Sequence, residues 1–181
     1  EQRIAQGRVP PAFTSTLEDD AAAALFDFGL MVWAQGAATP ARELLNLALW
    51  LSPNDPYLLY YSAIVEEFSG AKDVALARYA AVSADSPAGL AAKMRGIELA
   101  FKDAKPAGAT RAKLLDDMRV LQKAYPDAIA PRRSLAEMAY DNRDYRVALQ
   151  EYDALLASGR FDKQPNLMAA LYFARGASHE R

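Results

Sequence analysis

The sequence predicts an all-α fold of repeated helical hairpins, mainly because small, apolar and proline positions recur every 34 residues. Four positions of one segment return in the next at this spacing: Ala41, Leu45, Ala48 and Pro53 become Ala75, Tyr79, Val82 and Pro87. No segment shows the sustained alternation of a β-strand. Such a period indicates stacked helical hairpins, in which each repeat buries apolar surface against its neighbours.

The helices follow from apolar spacing and from the Gly, Pro, Asn and Asp residues between the apolar segments. Residues 1–15 are expected to be a leader, and Ser15 to Glu18 a capping box for the first helix. The longer interruptions at 102–109 and 159–166 carry few apolar anchors and are expected to be the most mobile loops. We predict helices over residues 16–35, 39–51, 56–69, 72–84, 87–103, 108–124, 128–142, 144–157 and 165–181.

Further matches lie at fixed offsets before the recurring positions: Leu25, Gly29, Val32 and Gly36 in the first copy, Leu59, Ala63 and Gly70 in the second. The pattern resembles the tetratricopeptide repeat (TPR) family, which implies a right-handed α-solenoid over residues 16–181. The second copy departs from the family pattern at Ser62, and at Glu66, where an apolar residue is expected. The expected repeats are about 22–55, 56–89, 89–128 with an insert, 129–162 and a partial 169–181.

Composition excludes several classes of protein. The chain has 181 residues, 52% hydrophobic and 24% charged, enough apolar sequence for a sizeable core. A formal net charge of −2 argues against a general polyanion binder. The absence of cysteine rules out disulfides, thiol catalysis and thiolate metal sites. The most apolar run, 21–34, has 14 residues and contains Asp27, so we expect a core helix and not a membrane span.

No set of residues predicts catalysis, so we expect a protein that is not an enzyme and has no cofactor or metal. The one histidine, His179, is interpreted as a core or surface residue, since no His or Cys cluster has metal-ligand spacing. Adjacent acidic residues point about 100° apart on a helix, so they are interpreted as solvated faces and not as catalytic pairs. These pairs are Asp19-Asp20, Glu66-Glu67 and Asp116-Asp117.

The sequence also contains a modest basic cluster made of Arg132, Arg133, Arg143 and Arg146. Acidic residues flank it on both sides of Arg143. We interpret the cluster as a salt-bridged surface in preference to a nucleic-acid patch.

The TPR resemblance implies that the first helix of each hairpin lines a concave, ligand-binding groove. In this chain the groove would have an aromatic wall in its N-terminal half, with Lys93 and Arg133 in its C-terminal half. No asparagine accompanies these cations to rebuild the family's carboxylate clamp, so an amphipathic helix or apolar peptide is the expected ligand. The predicted groove residues are Phe26, Leu30, Trp33, Tyr57, Tyr60, Ile64, Glu67, Phe68, Lys93, Ile97, Phe101, Arg133, Glu137, Tyr140 and Phe173. Alternatively, these side chains pack against the next repeat or are covered by other parts of the chain.

The resulting hypothesis is a scaffold that binds a peptide or helix of a partner protein, without nucleic acid and without direct membrane insertion. Two alternatives are a self-assembling homo-oligomeric scaffold and a regulatory module of a larger enzyme. The chain starts at Glu1 and stops inside a predicted helix, which suggests a fragment of a longer protein. The resemblance favours bacterial members of the cell envelope, so the expected location is periplasmic or membrane-associated, with the cytoplasm as the alternative.

Overall fold

A computed structural model describes residues 16–105, 108–160 and 164–180. Within these ranges the chain forms helices and no strand, which confirms the all-α class predicted from the sequence. The described ends of the predicted helices agree with the structure to within three residues. The helices are α1 Leu17–Ala34, α2 Ala38–Leu51, α3 Pro56–Phe68, α4 Lys72–Ala81, α5 Gly89–Asp103, α6 Ala109–Ala124, α7 Ile129–Asp141, α8 Tyr145–Ala157 and α9 Pro165–His179.

The chain divides into two compact units, Glu1–Ala88 and Gly89–Arg181, here called unit 1 and unit 2. Within each unit, helices that follow one another in the sequence pack together, and in unit 2 α5 also contacts α7. The predicted leader, the residues around Pro106 and the last residue of the chain lie outside the described residues.

The alanine, leucine, tyrosine and valine positions that recur every 34 residues form the interior of unit 1, whereas the recurring prolines, Pro53 and Pro87, are exposed. Ala41, Leu45 and Ala48 on α2 are fully buried, and Ala75 and Tyr79 are buried at the corresponding positions of α4. Burial of these side chains against neighbouring helices stabilises the unit through the hydrophobic effect. In unit 2 one larger cluster of buried apolar side chains includes residues from α5 to α9.

A close approach of α1 and α2 explains one of the glycines in the pattern. A Cβ atom on Gly29 would lie 3.2 Å from Cγ and Cδ2 of Leu45, and Leu45 is fully buried. Any side chain at position 29 would therefore push against a part of the core that has little room to move.

Three helix ends close with the same turn. Gly36, Gly70 and Arg143 follow the C-caps of α1, α3 and α7 with positive φ angles of 84°, 81° and 64°. In each turn the amide of this residue donates to the carbonyl three residues back, and the next amide donates to the carbonyl five residues back. This is the Schellman motif, which favours glycine at the left-handed position. Arg143 occupies that position without the conformational freedom of glycine.

The two departures of the second repeat from the apolar pattern have a structural explanation. Ser62 is buried, and its hydroxyl donates to the carbonyl of Leu59 at 3.0 Å. Glu66 is 1% exposed, and its carboxylate oxygens lie 3.1 Å from Arg42 Nε and from Arg78 Nη1. These contacts are ion pairs and not aligned hydrogen bonds. A buried charge is tolerated when it is paired in this way.

This charged cluster, made of Arg42, Glu66 and Arg78, ties α2, α3 and α4 together. Arg78 also donates to Asn46 Oδ1 on α2 through Nη2. Burial lowers the pKa of the Arg78 guanidinium, an effect that Glu66 opposes and Arg42 reinforces. The carboxylate of Glu66 therefore balances two arginines that would otherwise repel each other.

The predicted capping box of the first helix is shifted by one residue. Thr16 is the N-cap of α1: its hydroxyl accepts from the amide of Asp19 at 3.1 Å, and Asp19 Oδ2 accepts from the amide of Thr16 at 3.0 Å. The box requires an acceptor at the third helical position, and Asp19 supplies it there in place of Glu18. Ser15 lies outside the described residues.

None of the described helices combines the length and the hydropathy needed to cross a lipid bilayer.

Candidate functional site

In unit 1, all eight predicted groove residues retain solvent-accessible surface. Three lie on α1 and five on α3, and none of them is fully buried. Tyr57 and Phe68, at the two ends of α3, are the most open, with exposed fractions of 47% and 69%. The other six residues are half-buried: Phe26, Leu30 and Trp33 on α1, and Tyr60, Ile64 and Glu67 on α3.

Aromatic rings from α1 and α3 pair along the two helices. The centroids of Phe26 and Tyr61 are 5.5 Å apart, and those of Trp33 and Phe68 are 5.6 Å apart. Both pairs join residues 35 positions apart in the sequence, so α1 and α3 run in the same direction in near-repeat register. Inclined rings at these distances attract each other beyond simple area burial.

Tyr60 links these pairs to the interior of unit 1. Its ring lies 5.3 Å from that of Tyr61 and 6.0 Å from that of Tyr79. The buried Tyr79 hydroxyl donates to Glu67 Oε2 at 2.9 Å, which holds this carboxylate in place. We refer to the resulting surface as the aromatic face of unit 1, made of Phe26, Trp33, Tyr57, Tyr60, Tyr61 and Phe68.

Tyr61 belongs to the aromatic face but was not among the predicted groove residues. The prediction used fixed positions within each repeat, and Tyr61 is the neighbour of a chosen position. The 34-residue period aligns Phe26 with Tyr60 and not with Tyr61, so only the packing of α1 against α3 identifies Tyr61.

One end of the aromatic face opens into a cleft of about 460 Å³. Its wall includes Ala22, Phe26 and Tyr57, and two carboxylates, Asp19 and Asp55, lie at its edge. Both carboxylates cap helices: Asp55 accepts from the amides of Tyr57 and Leu58 at 2.9 and 2.8 Å. Hydrogen bonds from Thr16 lower the pKa of Asp19. The cleft therefore combines an apolar wall with an anionic edge.

The predicted groove residues of unit 2 do not form a comparable surface. Ile97 and Phe101 are buried, with Phe101 only 2% exposed. The guanidinium of Arg111 lies over the Phe101 ring, 4.4 Å from its centroid. The expectation that these two side chains face a ligand is not met, because they pack in the core of unit 2 together with α6 and α7 residues. The exposed members are Lys93, Arg133, Glu137 and Phe173.

The charged groove residues on α7 already interact with each other. Arg133 Nε lies 3.7 Å from Glu137 Oε1. Desolvation raises the pKa of Glu137, opposed by Arg133 and reinforced by Glu98 and Asp141. The Glu137 side chain is nevertheless 61% exposed, so water screens these charges and keeps the effect small. Tyr140 is half-buried and packs edge-on against Tyr145, with centroids 5.6 Å apart.

The described residues contain no group of three or more His, Asp or Glu side chains that could hold a metal ion. His179 is exposed in the last turn of α9.

Comparison with known proteins does not indicate a function for this chain. No protein-family model matches the chain, and no curated protein matches it significantly.

Proposed function

We propose that the protein is a non-enzymatic scaffold of TPR-like hairpins and that the aromatic face of unit 1 binds an apolar or amphipathic peptide of a partner protein. The observation that carries this proposal is the row of paired rings along α1 and α3, which stays accessible from Tyr57 to Phe68. Rigid aromatic side chains dominate the binding energy of protein interfaces, because they bury a large area at a small entropic cost.

The shape of the face favours a helix or an extended apolar segment as the ligand. Phe26 and Trp33 are two helical turns apart on α1, and Tyr61 and Phe68 are two turns apart on α3. An amphipathic helix presents apolar side chains with the same spacing, so its apolar stripe could lie along the rings. At the cleft end, Asp19 and Asp55 favour a ligand with a positively charged residue at that position.

The test uses the two open rings at the ends of the face. We expect Tyr57→Ala and Phe68→Ala each to weaken partner binding by about 1–3 kcal/mol. Both side chains are substantially exposed, so their truncation should leave the fold intact. Partners are captured from a lysate with the wild-type protein and with the double variant, and the affinity of each captured partner is then measured with purified components.

Phe28→Ala is the matched control, since Phe28 is an exposed aromatic residue on α1 outside the ring pairs. Direct evidence comes from Trp33 fluorescence in a Trp50→Phe background, because the chain has only two tryptophans. The bound peptide should change Trp33 emission. A partner that binds the double variant as tightly as the wild type would show that the aromatic face is not the binding surface.

Self-assembly is the alternative in which the bound segment belongs to a second copy of the chain. Light scattering at increasing protein concentration separates the two: a concentration-dependent mass that the double variant abolishes would favour self-assembly through the aromatic face.

A further inference from the structure

A second candidate site is a cleft of about 570 Å³ in unit 2, between α6, α7 and α8. Four cationic side chains line it: Arg119 and Lys123 from α6, Arg132 from α7 and Arg146 from α8. The aromatic face belongs to unit 1, so the cleft does not depend on the function proposed above.

The lining of this basic cleft carries a strong positive charge. Its one carboxylate, Glu151, lies 2.9 Å from Arg132 Nη1 and holds that guanidinium at the wall. Four cations and one carboxylate give the lining a formal charge of +3, whereas the whole chain carries −2. Positive charge concentrated in a cleft attracts anionic ligands more strongly than the same charge spread over a surface.

Three of the four cations are available to a ligand, because two have no ion-pair partner among the described residues and the third has only an exposed one. Among the described residues, no carboxylate forms an ion pair with Lys123 or Arg146. Arg119 contacts Asp116 at 2.5 Å, three residues earlier on the same exposed helix surface. Exposed pairs of this kind contribute little free energy, so Arg119 can exchange this partner for a ligand.

The spacing of the polar side chains suits a chain of carboxylates. Arg119 and Lys123 are one helical turn apart on α6, and Arg146 and Gln150 are one turn apart on α8. A separation of four residues corresponds to about 6 Å along a helix axis. In an extended peptide, side chains two residues apart are separated by about 6.6 Å, so acidic residues at alternate positions match this spacing.

We propose that the basic cleft binds an acidic, extended segment of a partner protein, in which Asp or Glu occupies alternate positions. Arginine can bind each carboxylate through two parallel hydrogen bonds, and the amides of Gln122 and Gln150 add neutral donors. The volume of the cleft, about 570 Å³, far exceeds that of a single phosphate group, so the cleft suits a longer ligand. The net negative charge of the chain disfavours the extended backbone of a nucleic acid.

The probe is a fluorescein-labelled decapeptide of alternating serine and glutamate, titrated with the full chain and followed by fluorescence anisotropy. The neutral counterpart contains glutamine in place of glutamate. We expect saturable binding of the acidic peptide alone, and weaker binding as salt is added. The double variant Lys123→Gln/Arg146→Gln should bind at least about tenfold more weakly, because two charge-assisted contacts are lost.

The matched control is Lys105→Gln/Lys113→Gln, which makes the same change in net charge at two exposed residues outside the cleft. It should bind like the wild type, and circular dichroism should show all variants folded. Equal affinity of the wild type and the cleft variant would overturn the proposal, as would equal losses in both double variants. Tighter binding of a single-stranded oligonucleotide than of the peptide would also overturn it.

Discussion

At the scale of single residues, the most informative positions are those where the sequence departs from its own repeat. Glu66 stands at an apolar position, yet it is almost completely buried between Arg42 and Arg78. Arg143 stands where two other turns have glycine. The buried charge of Glu66 is compensated by the two arginines. The left-handed backbone at Arg143 is unfavourable for a residue with a side chain.

Glu66→Gln should destabilise the protein strongly. The substitution keeps the size of the side chain but leaves two arginines near each other without a counter-charge. We expect a loss of about 3 kcal/mol in the free energy of unfolding, the lower end for a broken buried ion pair, because Arg42 remains partly exposed. Urea denaturation measures the loss, and Glu43→Gln at an exposed position of α2 is the control. A change below about 0.5 kcal/mol would mean that the charged cluster is unimportant for stability.

Substitutions at the left-handed position of the shared turn should change the stability in opposite directions at Gly70 and at Arg143. Gly70→Ala forces a side chain into the left-handed region and should cost about 1 kcal/mol, although nothing would touch the new Cβ atom. Arg143→Gly relieves the same strain and should stabilise the protein by up to about 1 kcal/mol. Thermal unfolding of both variants is the measurement, and shifts of equal sign would contradict the shared geometry.

Tyr152 should make the protein sensitive to alkaline pH. Burial raises its pKa from 10.0 to about 12, with Glu137 and Asp141 adding to the effect. The unfolded chain therefore loses this proton at a lower pH than the folded chain. The stability is fully present below pH 10 and falls as the pH rises from 10 to about 12. Tyr152→Phe, followed by urea denaturation over this range, should flatten the decline. An unchanged slope would assign the decline to other groups.

At the scale of elements, the hairpin of α1 and α2 shows how a sequence pattern translates into packing. Its repeat positions predict a close crossing, and the structure places Gly29 against the buried side chain of Leu45. The helix ends were predictable to within three residues, because caps and prolines act locally. The shift of the capping box from Glu18 to Asp19 is an error of the size that such local signals allow.

Gly29→Leu should destabilise unit 1, since overpacking of a core costs about 1–3 kcal/mol or more. Gly29→Ala should cost less, because its single Cβ atom requires a shift of a few tenths of an ångström at Leu45. Gly176→Ala, on an exposed part of α9 with open space around it, is the control and should be neutral or stabilising. Thermal unfolding compares the three, and an unchanged melting temperature for Gly29→Leu would show that the crossing is not close.

At the scale of the whole molecule, most contacts within each unit join helices that are neighbours in the sequence, and others join helices two apart, such as α1 with α3 and α5 with α7. Folding of such chains requires little closure of long loops. We expect the main refolding phase to occur within about milliseconds, as measured by stopped-flow circular dichroism. Double-jump experiments separate it from slower phases caused by isomerisation of the ten prolines in the unfolded chain. If the main refolding phase takes seconds even in double-jump experiments, the expectation that folding is dominated by contacts between neighbouring helices is wrong.

The sequence by itself determined the helical class, the helix bounds to within three residues, and the apolar positions of the 34-residue pattern that are buried. These features depend on apolar spacing, turn residues and caps, all of which act over a few residues. The family's groove positions correspond to accessible residues only in part of this chain. The predicted groove residues of unit 1 remain accessible, whereas Ile97 and Phe101 in unit 2 are buried. Position within a repeat indicates which side of a helix a residue occupies, but not whether another helix covers that side.

Only the tertiary structure decided which side chains meet. It paired Phe26 with Tyr61, enclosed Glu66 between two arginines of other helices, and gathered the cations of α6, α7 and α8 around one cleft. The paired residues are up to 35 positions apart in the sequence, and the cations of the cleft come from three different helices. Their contacts arise from the packing of whole helices, and no short stretch of sequence encodes that packing.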